Sequence, residues 1–329
     1  MKKIISTILV LGMMVAMVGC SAPAESASKD DGGSSYPNKP INVIVAYKAG
    51  GGTDTGARIL TSVAEEEFGQ PLLVVNKEGA DGEIGYTELA MAKPDGYTIG
   101  FINLPTFVSL PNERETNYSP DDVIPLVNHV YDQGVLVVQG SSEWQTLEQF
   151  VQYAKDNPEA ITVSNNGTGA SNHIGGAHFA KEAGIKLSYI PFGGSADMLA
   201  ALRGGHVKAT VAKISEVTSL VNAGELRILA SFTEERLESF PEVPTLKEKG
   251  YDVIFGSARG IVAPKGTPDE IVKILREKLE KVIKSPEHME KAAKANLPIK
   301  FMDGDQFKAY IDQQTKYVNE VVPTLDLEQ

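Results

Sequence analysis

Short apolar runs alternate with helix-period stretches along most of this chain, and few architectures accept that order. INVIVAY (41–47) reads as a buried strand, followed by a helix over 53–68 that Gly69 and Pro71 end. PLLVVN (71–76) is a second strand, 83–92 a second helix, and YTIGFIN (97–103) a third strand. After a less regular stretch at 118–129, GVLVVQ (134–139) opens another series. A helix capped by Thr146 ends before Pro158, and ITVSN (161–165), KLSYI (186–190), VKATVA (207–212) and RILASF (227–232) are strands, with helices over 171–183 and 195–202. GIVAP (260–264) is a further strand. A helix follows with Ile271, Ile274, Leu275, Lys278, Leu279, Val282 and Ile283 largely on one face, and a last helix runs over 305–322. Such alternation implies βαβ units and an α/β fold of mostly parallel sheets flanked by helices. Crossovers of this kind are right-handed, so ligands gather at the carboxyl ends of the strands. Two series, joined by strands near 134–139 and 257–264, predict two lobes. Residues 37–137 and 259–329 form lobe 1, residues 138–258 form lobe 2, and a cleft lies between them over two hinge strands.

The N-terminus bounds the compartment. Lys2 and Lys3 precede an apolar stretch over 4–18, then Gly19 and Cys20. This is the layout of an export signal over 1–19. Met17-Val18-Gly19-Cys20 resembles a bacterial lipoprotein signal, in which Cys20 becomes the lipidated first residue, although Met17 stands where Leu is usual. An uncleaved anchor and a plain secretory signal are the alternatives. Cys20 is the single cysteine, which favours lipidation and leaves no disulfide or thiol chemistry. The stretch SAPAESASKDDGGSS has no large apolar residue, so 20–36 reads as a flexible tether. With 31 Lys and Arg against 43 Asp and Glu, nucleic acid is a poor partner. Beyond the leader no apolar run approaches the ~20 residues of a spanning helix. These features together describe a lipid-anchored domain on the extracytoplasmic face of a bacterial membrane.

The strongest site signal is VIVAYKAGGGTDTGARIL (43–60), where three glycines join a strand to a helix. The first N–H groups of a helix have no partner inside it, and the macrodipole adds about half a positive charge there. Glycines let an anion approach, so Gly50, Gly51, Gly52, Thr53 and Asp54 suit a carboxylate or phosphate oxygen. Asp54 also fits a plain helix cap with no ligand contact. The Rossmann fingerprint would need glycine where Thr55 stands, strand two ends in Asn76 rather than an acid, and the P-loop pattern is absent. SNNGTGASNHIGG (164–176) and PFGGSAD (191–197) are two more turns of small and polar residues, each at a strand's carboxyl end. Their alternative is ordinary turn chemistry. Gly193-Gly194-Ser195-Ala196-Asp197 lacks the last glycine of a nucleophile elbow. His173 and His178 are five apart, off the spacing of a zinc helix motif, and five histidines without a thiol make a metal site a poor reading. His173, where a turn becomes a helix, is the histidine placed to face a ligand.

At these residues the chain resembles the solute-binding receptors of tripartite tricarboxylate transporters, the TctC or Bug type. The resemblance starts at YPNKPINVIVAYKAGGGTDTGAR and continues through GADGEIGYTELAMAKPDGYTIGF, NGTGASNHIGGAHFAKEAGIK and IPFGGSADMLAALRGGHV. It ends with LVNAGELRILASFTEERLESFPEVPTLKEKGYDV and GIVAPKGTPDEIV. It implies a two-lobed periplasmic binding protein fold, type II-like, closing over a small organic carboxylate. It also implies delivery to a permease of one large and one small membrane subunit, with no enzymatic activity and no cofactor. By position it assigns ligand binding to Ala49, Gly50, Gly51, Gly52, Thr53 and Asp54, to Thr106, to Thr168, Ser171 and His173, and to Gly194, Ser195 and Asp197. Three departures stand out: Ala49 where many members have Pro, Lys208 in place of an acid, and Ala258 in place of a Trp. Arg259, beside the missing indole, offers a bidentate grip on a carboxylate, a hinge ion pair being its alternative. The reading is of a monomeric carboxylate receptor that feeds a transporter, or alternatively one that signals to a sensor kinase.

Overall fold

The structure, a computed structural model, describes residues 36–329 except Thr168, Gly169, Gly193, Asp326, Glu328 and Gln329. The expected leader, Cys20 and most of the tether lie outside the described residues.

The first series runs β1 (Ile41–Val45), α1 (Gly52–Phe68), β2 (Leu72–Asn76), α2 (Glu83–Ala90), β3 (Thr98–Leu104) and α3 (Thr106–Glu113). The 17-residue β4 (Val123–Gln139) follows. Next come α4 (Leu147–Asp156), β5 (Thr162–Asn165), α5 (Ser171–Ala183), β6 (Ser188–Pro191), α6 (Ser195–Arg203), β7 (Ala209–Lys213), α7 (Ile214–Asn222) and β8 (Leu226–Ser231). The chain closes with β9 (Gly256–Pro264), α8 (Asp269–Lys284), α9 (Pro286–Lys294), β10 (Ile299–Met302) and α10 (Gly304–Glu320).

Both sheets hang on β4. Its first part pairs antiparallel with β9, from Val123 opposite Pro264 to Gln133 opposite Gly256, and also with β10. From Gly134 onward it pairs antiparallel with β7 and β8. The change of sheet falls at Gln133–Gly134, and a Cβ on Gly134 would lie 2.2 Å from the Phe255 ring. Only glycine lets the strand pass that closely. Behind the crossing, β1 pairs parallel with β2 and β3, and β5 pairs parallel with β6 and β7. The sheets are therefore mixed rather than mostly parallel. The crossing strand and the returning β9 run against their neighbours, so no helical crossover is needed there.

Each lobe packs helices on both faces of its sheet. In lobe 1, Ile41, Val43, Leu60, Leu275, Leu279 and Ile283 join α1 and α8 to one face. Ile44, Tyr86, Phe107 and Phe307 fill the other. In lobe 2, Leu136, Phe150, Val163 and Phe179 form one layer, and Val135, Met198, Leu202 and Val217 the opposite one. Two-sided burial explains why the strands read as continuous apolar runs. It also holds the carboxyl ends of β1, β3, β5 and β7 rigidly around one cleft.

Candidate functional site

Between the lobes lies a cavity of about 490 Å³. Lobe 1 contributes the turn after β1, where the chain strips three side chains. Gly50 has φ 82°, in the left-handed region that glycine enters freely. Gly51 is the N-cap of α1 and supplies no side-chain cap, so the first amides of the helix point to the cavity uncapped. The bare Gly52 has a different cause. A Cβ there would sit 3.1 Å from Nη2 of Arg259 and 3.2 Å from its Cζ and Nη1. The glycine leaves room for a guanidinium laid against the start of the helix.

Arg259 enters from β9, and its side chain is 8% exposed. Nη2 stands 3.4 Å from Oδ2 of Asp132, while Nε has no partner among the described residues. Asp132 in turn accepts from the Ser215 amide at 3.2 Å and from the Ser215 hydroxyl. Burial raises the Asp132 carboxyl, and the Arg259 charge and the Ser215 hydrogen bond only partly offset it. A buried cation with one long ion pair and an idle N–H is poised to take an incoming oxyanion.

Behind the turn, Asp54 acts as a brace. Its carboxylate accepts from the Gly50 amide at 2.8 Å, Arg58 Nε at 2.9 Å and Asn76 Nδ2 at 2.9 Å. Burial alone would raise this group, but these donors hold it below the usual carboxylate range. Thr53 and Asn103 meet inside the cavity, Asn103 Nδ2 donating to Thr53 Oγ1 at 2.9 Å. Tyr47 shares a 2.7 Å hydrogen bond with Tyr86, and burial pushes its hydroxyl up to about 12.

Lobe 2 repeats the arrangement. The caps of α5 and α6 are Ala170 and Gly194, and neither supplies a side-chain hydrogen bond. These three helices, α1, α5 and α6, thus begin at the cavity with uncapped amides, as does α3 after Pro105. Away from it, Thr146, Ser285 and Asp303 cap α4, α9 and α10 in the ordinary way, whereas α2 and α8 also start without a side-chain cap, at Gly82 and Pro268. Asn166 Nδ2 donates to Ser195 Oγ at 3.2 Å, and Ser195 Oγ donates to Glu216 Oε1 at 2.7 Å. Lys213, buried at the end of β7, lines the cavity, and its amide donates to Glu216 at 3.0 Å. Burial raises Glu216, but the Lys213 charge and amide, the Ser195 hydroxyl and the Arg259 charge hold it below its ordinary value.

Of the residues expected from sequence, Gly51, Gly52, Thr53, Thr106, Ser171, Gly194, Ser195 and Arg259 line the cavity together. Ala49, Gly50 and Asp54 border a shallow depression on the outer side of the turn instead. His173 is buried within α5 against Tyr189, ring centroids 4.6 Å apart, and burial lowers its imidazole to about 4. Asp197 is exposed on α6 and is not part of the lining. Thr168 lies outside the described residues. Lys48, Asp81 and Glu113 were not expected from sequence, nor were Asn103 near the end of β3, Asn166 after β5 and Lys213 at the end of β7. A polar residue ending an otherwise apolar strand was the available signal.

The profile of the tripartite tricarboxylate transporter family receptor, TctC, matches residues 57–327. The chain belongs to this family. A TctC-family relative from Cupriavidus necator, the UPF0065 protein in the gbd 5' region, is 33% identical over 95% of this chain and 94% of its own. The ligand-free TctC solute-binding protein from Polaromonas is 33% identical, with a TM-score of 0.78 over 88% of this chain and 100% of its own. An R. palustris protein solved with adipate is 25% identical, with a TM-score of 0.77 over 88% and 98%. This TctC-family receptor therefore has the two-lobed fold of periplasmic binding proteins, and its cavity occupies the interlobe cleft.

Proposed function

We propose that this receptor captures a small organic carboxylate in the interlobe cleft and hands it to a permease of one large and one small membrane subunit. One observation carries the reading: uncapped helix starts at Gly51, Ala170 and Gly194 surround a single cavity with the buried, underused guanidinium of Arg259. A carboxylate suits such a site, since its two oxygens accept charge-assisted hydrogen bonds from amides and guanidinium alike. The adipate held by the R. palustris relative supports this class of ligand.

Contacts to both lobes exist together only when the cleft is closed, so the ligand shifts an open–closed equilibrium. The lobes divide where β4 changes partner at Gln133–Gly134 and just ahead of β9 at Gly256, several residues before the 137/138 and 258/259 bounds expected from sequence. The receptor works as a monomer on the extracytoplasmic face, held by lipid on Cys20 after removal of 1–19. It has no catalytic role.

A thermal-shift screen of carboxylates against the chain from Cys20 onward tests the reading. A true ligand at about 100 times its Kd adds roughly 2.7 kcal/mol of stability. If no carboxylate moves the melt, the reading fails. Cys20→Ser tests the anchor, with release from the membrane fraction as the expected result.

A further inference from the structure

The cleft is not uniformly suited to anions. Its inner end carries Arg259, Lys213 and the three uncapped helix starts, and the exposed Lys48 lines it beside the glycine turn. The rim formed by lobe 1 has the opposite character. Asp81 and Glu113 both line the cavity there, next to Ser109. Arg114 is the cation at that rim, and it is fully engaged: Nε with Glu83 at 2.9 Å, Nη1 with Asp81 at 3.3 Å and Nη2 with the Ala80 carbonyl at 2.7 Å. Three carboxylates therefore face one guanidinium. Glu113 forms no ion pair among the described residues. Partial desolvation raises its carboxyl, and the Arg114 charge offsets that only in part. An arriving cation would reverse that shift.

A second carboxylate placed at this rim would meet Glu113 and Asp81 with like charge as the cleft closes and water leaves. A positively charged amine would meet them as a partner. Building on the carboxylate reading, we infer that the preferred ligand is zwitterionic, an amino carboxylate whose carboxylate seats against Arg259 and α1 while its ammonium faces Glu113 and Asp81. Glu113 is then a specificity-determining residue, selecting against dicarboxylates of the same length.

Calorimetry with near-isosteric pairs tests this, γ-aminobutyrate against succinate and ε-aminocaproate against adipate, on the wild-type receptor and on Glu113→Gln. The wild type should favour the amine-bearing member of at least one pair by roughly tenfold, the scale of one charged hydrogen bond. Glu113→Gln should erase that preference. Glu113 is only partly shielded at the end of α3 and holds no ion pair among the described residues, so the apo melting temperature should move little. Dicarboxylates bound as tightly as their amine counterparts, or a preference that survives Glu113→Gln, would overturn the inference and leave the carboxylate reading standing. No binding by any of the four compounds, in a receptor that a wider carboxylate panel also fails to stabilise, would overturn both.

Discussion

Gly52→Ala separates the two reasons a glycine turn can exist. If the turn is bare only to admit a ligand, one methyl inside the first helical turn should be a modest obstacle. The structure points instead to the guanidinium. The new Cβ would lie 3.1–3.2 Å from three atoms of Arg259, tighter than the 3.4–4 Å of ordinary contact. The guanidinium must withdraw by a few tenths of an ångström from the start of α1, and its partner Asp132 is already at a long 3.4 Å. A bidentate grip depends on that geometry, and loss of one charge-assisted hydrogen bond is worth about 1.5–3 kcal/mol. The expected effect on Kd is a weakening of roughly 10- to 150-fold, measured by calorimetry with whichever carboxylate the screen finds. The fold should not suffer, because alanine favours a helix over glycine by up to ~1 kcal/mol. Gly50→Ala is the matched control. Nothing lies within 4 Å of its Cβ, but φ is 82°, so it should cost about 1–2 kcal/mol of stability with little change in affinity. Wild-type affinity in Gly52→Ala, with an unchanged apo melt, would refute the claim that Arg259 grips the ligand.

Asp54→Ala removes the acceptor shared by the Gly50 amide, Arg58 and Asn76, and should cost about 2–4 kcal/mol in urea unfolding while also weakening ligand binding; a loss under 1 kcal/mol would show that the turn holds itself. Acid should destabilise the receptor through its buried imidazoles. Burial, with smaller contributions from His288 and Arg259, holds His129 well below its ordinary range, and burial lowers His288 and His173 as well. A depressed imidazole leaves the unfolded chain binding more protons, so stability is complete above about pH 6.5 and falls as pH drops toward the folded value. For His173, lowered to about 4, the loss is ~2 kcal/mol at pH 5. Urea midpoints that stay level from pH 7.5 to pH 5 would contradict this.

The lobes and most of the cleft were legible because they rest on short-range rules. Apolar runs of four to seven residues marked β1, β3, β5 and β7, and glycine or small polar residues after them marked the helix starts that line the cavity. Elements with weaker local signals were passed over. α3 contains Pro111 and begins directly after Pro105, which reads as a break. α7 follows β7 with no turn residue between Lys213 and Ile214. α9 did carry a signal, Ser285 as cap and Pro286 in the first turn, but it lies one residue after α8 and no helix was read there. β4 read as an irregular stretch and a separate strand because its register shifts near Pro125–Val127 and Asn128–Val130 interrupt the alternation. The mixed sheets were not legible, since strand direction at the crossing depends on pairing between distant residues. Asp54 and His173 show the same limit at the site. Their residue types suit a ligand, but tertiary packing turns one into a brace behind the turn and buries the other in α5.

The network around Asp132 offers the proposed ligand, held mainly by amides, a way to move two lobes. Asp132 lies on β4 one residue before the strand changes partner at Gln133–Gly134. From lobe 1 it faces Arg259, and from lobe 2 it accepts the amide and hydroxyl of Ser215 at the start of α7. The buried Lys213 and the Glu216 carboxylate complete the group, so two cations and two carboxylates share the hinge. A carboxylate bound as proposed would draw on Arg259, weaken its hold on Asp132 and make the Ser215 contacts worth more to that buried acid. On that proposal the anion would be read at the point where the lobes join as well as by the turns that touch it. In the proposed division of labour, binding through amides would fix the chemical class of the ligand, and rim side chains such as Glu113 would choose among its members without disturbing the hinge.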